Sequence, residues 1–282
     1  GSLTSSSLKN KYIYGDYVSG RVWALEYNAL NGVTSNELLF KTNGEFISSF
    51  GEDEAGELYF SDYGTNAKLF KLTETITGPV TNPVNGIGEW KSLSSGTDGI
   101  VQSITSSTNG TCYIAGSFNS AGGISASDLA TLSITEVWAS LGSNIEGSVL
   151  ATALSPDGTL YIAGNFTSVS GIEANNIAKW NGTSWSVLSS GTNGPISTIA
   201  FNETGTLFVG GVFTTAGGLN ANNIAKWENE TWSLLTDAST NISGTNNEVR
   251  SIHIDNNNRV YIGGNFDTAG GISATRIALW NG

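Results

Sequence analysis

ISTIAFNETGTLFVGGVFTTAGGLNANNIAKWENETWSLL, residues 196–235, is the stretch whose reading decides the fold. Residues 196–201 alternate apolar and small polar side chains, the period-2 pattern of a half-buried strand. NETG (202–205) reads as a turn, because Asn hydrogen-bonds its own backbone and Gly accepts a positive φ. TLFVGGVF (206–213) is a second strand, TTAGGLNAN (214–222) a loop, and NIAKW (223–227) a third strand. A short turn then leads to WSLL (232–235), a fourth. Four short antiparallel strands within one repeat of about 47 residues match one blade of a β-propeller.

The same phrase recurs along the chain. YIAGSFNSAGGISASDLATL starts at Tyr113, YIAGNFTSVSGIEANNIAKW at Tyr161, FVGGVFTTAGGLNANNIAKW at Phe208 and YIGGNFDTAGGISATRIALW at Tyr261. The steps are 48, 47 and 53 residues. Tyr59 in LYFSDYG lies 54 residues before Tyr113, and Tyr12 in YIYGDY lies 47 before Tyr59. Such a period marks units that bury their faces on one another. Residues 1–282 are therefore expected to form a single all-β propeller of four-stranded antiparallel blades, six in number. The chain is either a whole ring or an excised or permuted part of something longer. TGPVTNPVNGIG (77–88) is an irregular linker. The first unit opens at its second strand, Tyr12, and the last stops after its third, RIALWNG (276–282). LTSSSLK (3–9) is a candidate for a strand that closes the ring.

Hydrophobic residues make up 39% of the chain and charged residues 13%, with 36 Gly. Each interior Gly costs a helix about 1 kcal/mol relative to Ala, so this profile favours strands and turns. The net charge is −12 and the Lys and Arg do not cluster. An acidic surface repels phosphate, which excludes nucleic acid as a partner. No run approaches the ~18 apolar residues of a membrane span, so membrane insertion is not expected. The single Cys112 leaves no internal disulfide and sits in an alternating apolar stretch, where a small core residue is expected rather than a nucleophile. One His and one Cys cannot make a zinc site, and neither metal nor cofactor is expected.

The lone histidine, His253, lies eight residues before a strand-B aromatic, where the other repeats place Gly51, Thr105, Ala153 and Ala200. It reads as a partly buried, hydrogen-bonded group; the alternative is a place on an axial channel beside Arg250 or Asp255. A catalytic dyad would need a second acid or a nucleophile held against it, and the sequence locates none. The A–B turns EDEAGEL (52–58), SPDGTL (155–160), NETGTL (202–207) and DNNNRV (255–260) read as self-bonded turns, since calcium loops would keep one spacing of convergent oxygens. The Gly-Gly loops join strand to strand with no helix to follow, so they are not phosphate cradles.

Two groups of residues are candidates for ligand binding. The B–C loops AGGISAS, VSGIEANN, AGGLNANN and AGGISAT offer small residues for close approach, and Asn175, Asn176, Asn222 and Asn223 offer the donors and acceptors that sugar hydroxyls require. The competing reading packs these loops on one another and uses Asn to start the next strand. The second group is a pair of indoles at each C–D hairpin, Trp180 with Trp185 and Trp227 with Trp232. Either they form a stacking platform for sugar, or they hold the outer edge of a blade as a cross-strand pair, which contributes about 0.2–1 kcal/mol. Partial copies survive at Trp90, Trp138 and Trp280. C–D hairpins turn to the opposite end of a blade from B–C loops, so the two groups are not expected to form one site. Asn-x-Ser/Thr occurs at Asn109, Asn165, Asn181, Asn202, Asn229 and Asn241, which matters only in a host that glycosylates.

Two stretches resemble known families. KYIYGDYVSGRVWAL (11–25) and ISSFGEDEAGELYFSDYG (47–64) resemble the last part of the soluble glucose/sorbosone dehydrogenase family, which includes hedgehog-interacting-protein-like propellers. That resemblance implies a six-bladed scaffold whose enzymes oxidise sugars with pyrroloquinoline quinone and calcium. No counterpart of their catalytic His or quinone-gripping basic residues is present here. Residues 89–282, with the phrase GGxFxxAGGxxxxNIAxWNGxxW, resemble the repeats of secreted bacterial propellers and of fungal cortical polarity-marker proteins, close to the kelch type. Those roles, where assigned, are adhesion and surface organisation. The step of 47 residues is also that of tachylectin-type lectin propellers.

The expectation is a non-catalytic extracellular binding or adhesion propeller, secreted or at the cell surface, whose partner is a glycan or a cell-surface protein. Repeated similar loops would raise avidity through multivalency. The alternatives are the scaffold of a quinone-dependent sugar dehydrogenase and a purely structural or protein-binding array.

Overall fold

A computed structural model describes the strand segments 12–16, 21–28, 32–41, 47–52, 58–62 and 69–74, and then 88–282 apart from 142–143. The expected linker at 77–88 falls outside these residues except for Gly88, as do LTSSSLK (3–9) and most of the turn at 52–58. The chain divides into two compact units. The first comprises 1–114, 118–126 and 130–140, and the second 115–117, 127–129 and 141–282.

Every regular element among the described residues is a strand. The repeating sheet is an antiparallel meander. In the repeat read above, strand A is Ile196–Phe201, B is Leu207–Gly211, C is Ile224–Glu228 and D is Thr231–Ser233, hydrogen-bonded in that order. The preceding sheet is Gly147–Leu154, Leu160–Phe166, Ile177–Trp180 and Trp185–Val187. Before it come Ile100–Ser106, Cys112–Ser117, Leu129–Leu132 and Trp138–Ser140, and Ile47–Glu52, Leu58–Asp62, Leu69–Glu74 and Gly88–Ser92. Three-stranded sheets stand at each end of the described chain, Tyr12–Asp16 with Arg21–Asn28 and Gly32–Lys41, and Val249–Ile254 with Val260–Gly264 and Ile277–Trp280. These four-stranded antiparallel sheets make the protein an all-β propeller.

The Gly-x-Phe phrase has a direct mechanical reason. Strand A bulges against strand B in successive repeats, between Val149 and Ala151, Ile196 and Thr198, and Val249 and Ser251. The bulge drives a carbonyl at or just before the start of strand A against the facing residue of strand B. A Cβ on Gly164, Gly211 or Gly264 would stand 2.1–2.2 Å from the carbonyl oxygen of Ser148, Pro195 or Glu248. Only glycine fits there. Two residues on, Phe118, Phe166, Phe213 and Phe266 are buried.

The core lies between sheets as much as within them. In the second unit, Ile177 and Leu188 of one sheet share a cluster with Leu207, Val209, Trp227 and Trp232 of the next. Burial on both faces explains why strand B reads as a continuous apolar run while strand A alternates.

The expected B–C loop is itself a small ribbon. Thr215–Ala216 pairs with Leu219–Asn220 around Gly217-Gly218, and the same ribbon forms at Ser120–Ser125, Ser168–Glu173 and Thr268–Ser273. Both turn glycines have positive φ, +57° and +83°, as a two-residue hairpin turn with the twist of its strands requires. The A–B turns are closed by their own side chains. Asp157 Oδ1 accepts from the Thr159 N–H, Asn202 Oδ1 from Thr206 and Asp255 Oδ1 from Asn257 and Arg259. Among the described residues no set of three His, Cys, Asp or Glu converges as a metal site would require.

Candidate functional site

The linkers between sheets carry a second repeated phrase: SGTDG (95–99), SGTNG (190–194) and SGTNN (243–247). Each Thr is buried, and its hydroxyl donates to the carbonyl two residues on, at 2.7–2.8 Å. The next residue clasps the following B–C ribbon. Asp98 Oδ1 accepts from the N–H groups of Asn119 and Ser120, Asn193 Oδ1 from Thr214 and Thr215, and Asn246 Oδ1 from Asp267 and Thr268, all at 2.8–3.0 Å. Partial burial pushes the Asp98 carboxyl up, but the N–H groups of Ser120 and Asn119 outweigh it and hold the group below the usual carboxylate range.

The four asparagines of the B–C loops grip these linkers from the other side. Asn175 donates through Nδ2 to the Ser190 carbonyl at 3.1 Å, and the buried Asn176 to Thr192 at 2.9 Å. One repeat later, Asn222 donates to Ser243 at 3.2 Å and Asn223 to Thr245 at 2.9 Å. Asn176 and Asn223 also take positive φ, 66° and 71°, which asparagine tolerates better than most residues. These residues therefore do more than start the next strand: one amide proton of each is committed to the framework.

Between Asn175 and the next ribbon the surface forms a cleft of about 580 Å³. Asn165, Thr167, Asn175, Asn193 and Thr215 line it, with Pro195 as an apolar wall. Asn165 and Thr167 are exposed, and their side chains make no hydrogen bond among the described residues. Neither was singled out as a ligand contact; the one signal was the Asn165-Phe166-Thr167 sequon. The SGT linkers were also missed, although they recur with the repeat, because they carry no apolar periodicity.

The Trp pairs lie elsewhere. Trp180 faces Trp185 across strands C and D, and Trp227 faces Trp232, with ring centroids 5.2 Å apart in both pairs. Trp185, Trp227 and Trp232 are only 5–6% exposed, and Trp180 is half-buried. A sugar face could stack on the first three only if the core opened. The Trp pairs and the B–C loops were not expected to form one site because they turn to opposite ends of a blade; that reason requires correction. The ribbon folds back along its sheet, so that a Cβ on Gly217 would come 2.3 Å from Trp232 Cδ1. Trp232 Nε1 donates to the Leu188 carbonyl at 3.0 Å. Loop and indole touch, yet the loop covers the ring rather than sharing an open site with it.

The remaining candidates for chemistry are simply placed. His253 is exposed rather than partly buried, and its ring neighbour is Tyr261 at 6.3 Å. Cys112 is buried in the core of its sheet with Ile114, Phe118 and Trp138. Asp255 is held down to about 2 by the Arg259 guanidinium, a pairing that completes a turn.

With this geometry in hand, the comparisons with known proteins agree on the architecture. A family model described as the Rax2 C-terminal beta propeller domain matches residues 89–200, within the stretch 89–282. A solved protein assigned as a gluconolactonase superposes with a TM-score of 0.53 at 10% identity, over 90% of this chain and 81% of its own. A gluconolactonase from Xanthomonas campestris gives 0.52 at 12%, over 89% and 78%. The extracellular domain of a protein assigned to the hybrid two-component systems of B. thetaiotaomicron gives 0.50 at 15%, over 96% of this chain and 33% of its own, so the chain spans about a third of that extracellular domain's length. At these identities the likeness is one of fold, and the fold is the propeller.

Proposed function

We propose that the chain is a non-catalytic glycan-binding module of a surface or secreted protein, and that it holds neutral sugar in the cleft beside Asn175. The observation that carries this reading is the cleft itself, about 580 Å³ and open, with exposed Asn165 and Thr167 at its wall. Amide and hydroxyl groups both donate and accept, as sugar hydroxyls demand. The net charge of −12 disfavours sulfated or sialylated chains. In the same reading Asn175 contacts sugar with its carbonyl oxygen and its second amide proton, since the first is engaged with Ser190. Asn176 then positions the rim through its bond to the Thr192 carbonyl, while Asn222 and Asn223 hold the next linker, at Ser243 and Thr245. An extracellular setting accords with the extracellular-domain neighbour and with the family whose repeats match residues 89–200.

The test uses the chain produced in a host without N-glycosylation, so that the Asn165 sequon stays bare. Labelled protein at high micromolar concentration is screened against a panel of neutral and anionic glycans. Binding to one neutral class, weakened at least tenfold by Asn165→Ala with Thr167→Ala, is the expected result. Silence across the panel, or binding indifferent to that double variant, overturns the reading.

A further inference from the structure

Asn165 and Thr167 are exposed while Phe166 between them is buried, the alternation of extended chain at the end of strand B. The amide and the hydroxyl therefore stand side by side on one face, and that face is the wall of the cleft. Asn165-Phe166-Thr167 is also an acceptor sequence for N-glycosylation. The same place in the other repeats reads Ser117-Phe118-Asn119, Val212-Phe213-Thr214 and Asn265-Phe266-Asp267, none of which is an acceptor. One junction of the array is thus set apart. The remaining acceptor sequences lie elsewhere. Asn109, Asn181 and Asn202 close their own turns, with Oδ1 accepting from the N–H groups of Thr111, Thr183 and Thr206. Asn229 and Asn241 lie in connections between strands, with positive φ. None of these lines the cleft. The Asn165 side chain makes no hydrogen bond among the described residues, so a substituent on its Nδ2 breaks none.

We propose that Asn165 is a modification site that regulates this cleft: an N-linked glycan on it fills the cleft in cis and shuts out free sugar. The inference rests on the glycan-binding reading above. In the transfer step the Asn165 Nδ2 attacks the anomeric carbon of an oligosaccharide carried on a polyprenyl diphosphate. The N–C bond forms, the bond from that carbon to the diphosphate oxygen breaks, and polyprenyl diphosphate leaves. The amide proton passes to a base of the transferase. Transfer acts before Phe166 is buried, and the folded sheet then carries the product because Asn165 and Thr167 stay exposed. Modification removes one of the two amide protons and sets the first sugar at the wall that free sugar must reach. A ligand on so short a tether has an effective concentration of about millimolar. Free sugar at micromolar concentration competes poorly with it. The bare chain is the binding form, and occupancy at Asn165 sets the fraction of chains that remain open.

The full chain secreted from a eukaryotic host is compared with the bare chain from a host without N-glycosylation. Enzymatic release of N-glycans in heavy-oxygen water turns each occupied Asn into a heavy Asp, read by mass spectrometry. Asn165 is expected to be marked. Hydrogen exchange across 190–194, which lines the cleft, should slow in the glycosylated chain. Its affinity for the free neutral glycan that the bare chain binds should fall at least tenfold. Thr183→Ala with Thr231→Ala, which removes the acceptor sequences at Asn181 and Asn229, should leave that block in place. An unmarked Asn165 beside a marked Asn181 or Asn229 overturns the inference. So does a marked Asn165 with unchanged exchange and affinity, or a block that disappears with Thr183→Ala and Thr231→Ala. These outcomes leave the binding reading standing, because the bare chain still binds. A bare chain that binds no glycan overturns the reading and the inference together.

Discussion

Ile224 and Ile277 hold the same position in neighbouring repeats, yet one is 2% exposed and the other 67%. Ile224 is covered by Val260, Ile262 and Phe266 of the sheet that follows it. Ile277 has no following sheet among the described residues. The difference teaches that burial in this molecule belongs to the neighbour rather than to the repeat. The sheets from residue 147 on carry an apolar face that they do not cover alone, which is the logic of quasi-one-dimensional repeat proteins.

The strongest way to break this comparison is to truncate both residues. Ile224→Ala should destabilise by about 2–5 kcal/mol, as large-to-small changes in a closed core do. Ile277→Ala should stay within about 0.5 kcal/mol, the range of ordinary surface changes. Urea unfolding of the two variants measures both, and equal losses would mean that the last sheet is covered in solution.

A second pair separates crowding from backbone strain. Gly217→Ala meets Trp232 and a φ of +57°, and should cost about 2–4 kcal/mol. Gly218→Ala, with φ +83° and nothing within 4 Å, carries the backbone term alone. It should cost about 1–2 kcal/mol. Thermal unfolding that ranks Gly218→Ala at or above Gly217→Ala would remove the contact between ribbon and indole.

The clasps come next in size. Asn176→Ala leaves a buried Thr192 carbonyl without that donor and should cost about 1–3 kcal/mol. Asn175→Ala, at a more exposed bond, should cost about 0.5–1.5 kcal/mol. Equal effects in denaturant titrations would deny the two asparagines their different depths.

The smallest effect is one of pH. Asp98 is held below its ordinary range in the folded chain, so its contribution is fully present above the unfolded carboxylate pKa of about 3.9. That contribution is lost as pH falls through the lower folded value. Asn193 and Asn246 make the same clasp without a charge. Asp98→Asn should therefore flatten the acid limb of the stability curve below about pH 4 and leave neutral pH nearly unchanged. An unaltered acid limb would show that Asp98 does not couple to folding.

The strand order was legible in the sequence because Gly-x-Phe reports a local necessity, a bulge that excludes a Cβ followed by a buried ring. The strand-A boundaries at Ile196–Phe201 agree with the pattern for the same reason. The candidate site was legible only as composition. Asn175 and Asn176 announce hydrogen-bonding capacity, but their partners, Ser190 and Thr192, lie in a linker whose small polar residues have no period to betray them. The fold-back of the ribbon onto Trp232 was hidden too, since strand topology alone sends B–C and C–D connections to opposite ends. Exposed Asn165 and Thr167 differ from other surface residues only through the cleft that neighbouring elements build around them.

The linker clasps bear on how such a chain can be inherited. Asp98, Asn193 and Asn246 each hold the N–H groups of two residues in the next repeat, which are Asn119-Ser120, Thr214-Thr215 and Asp267-Thr268. The side chains differ while the grip stays the same, because it addresses the main chain. A duplicated unit can therefore join any sibling without its neighbour having to mutate in step. Drift in ribbon sequence leaves the joint intact, so exposed side chains of the ribbon are free to diversify while the copies remain compatible.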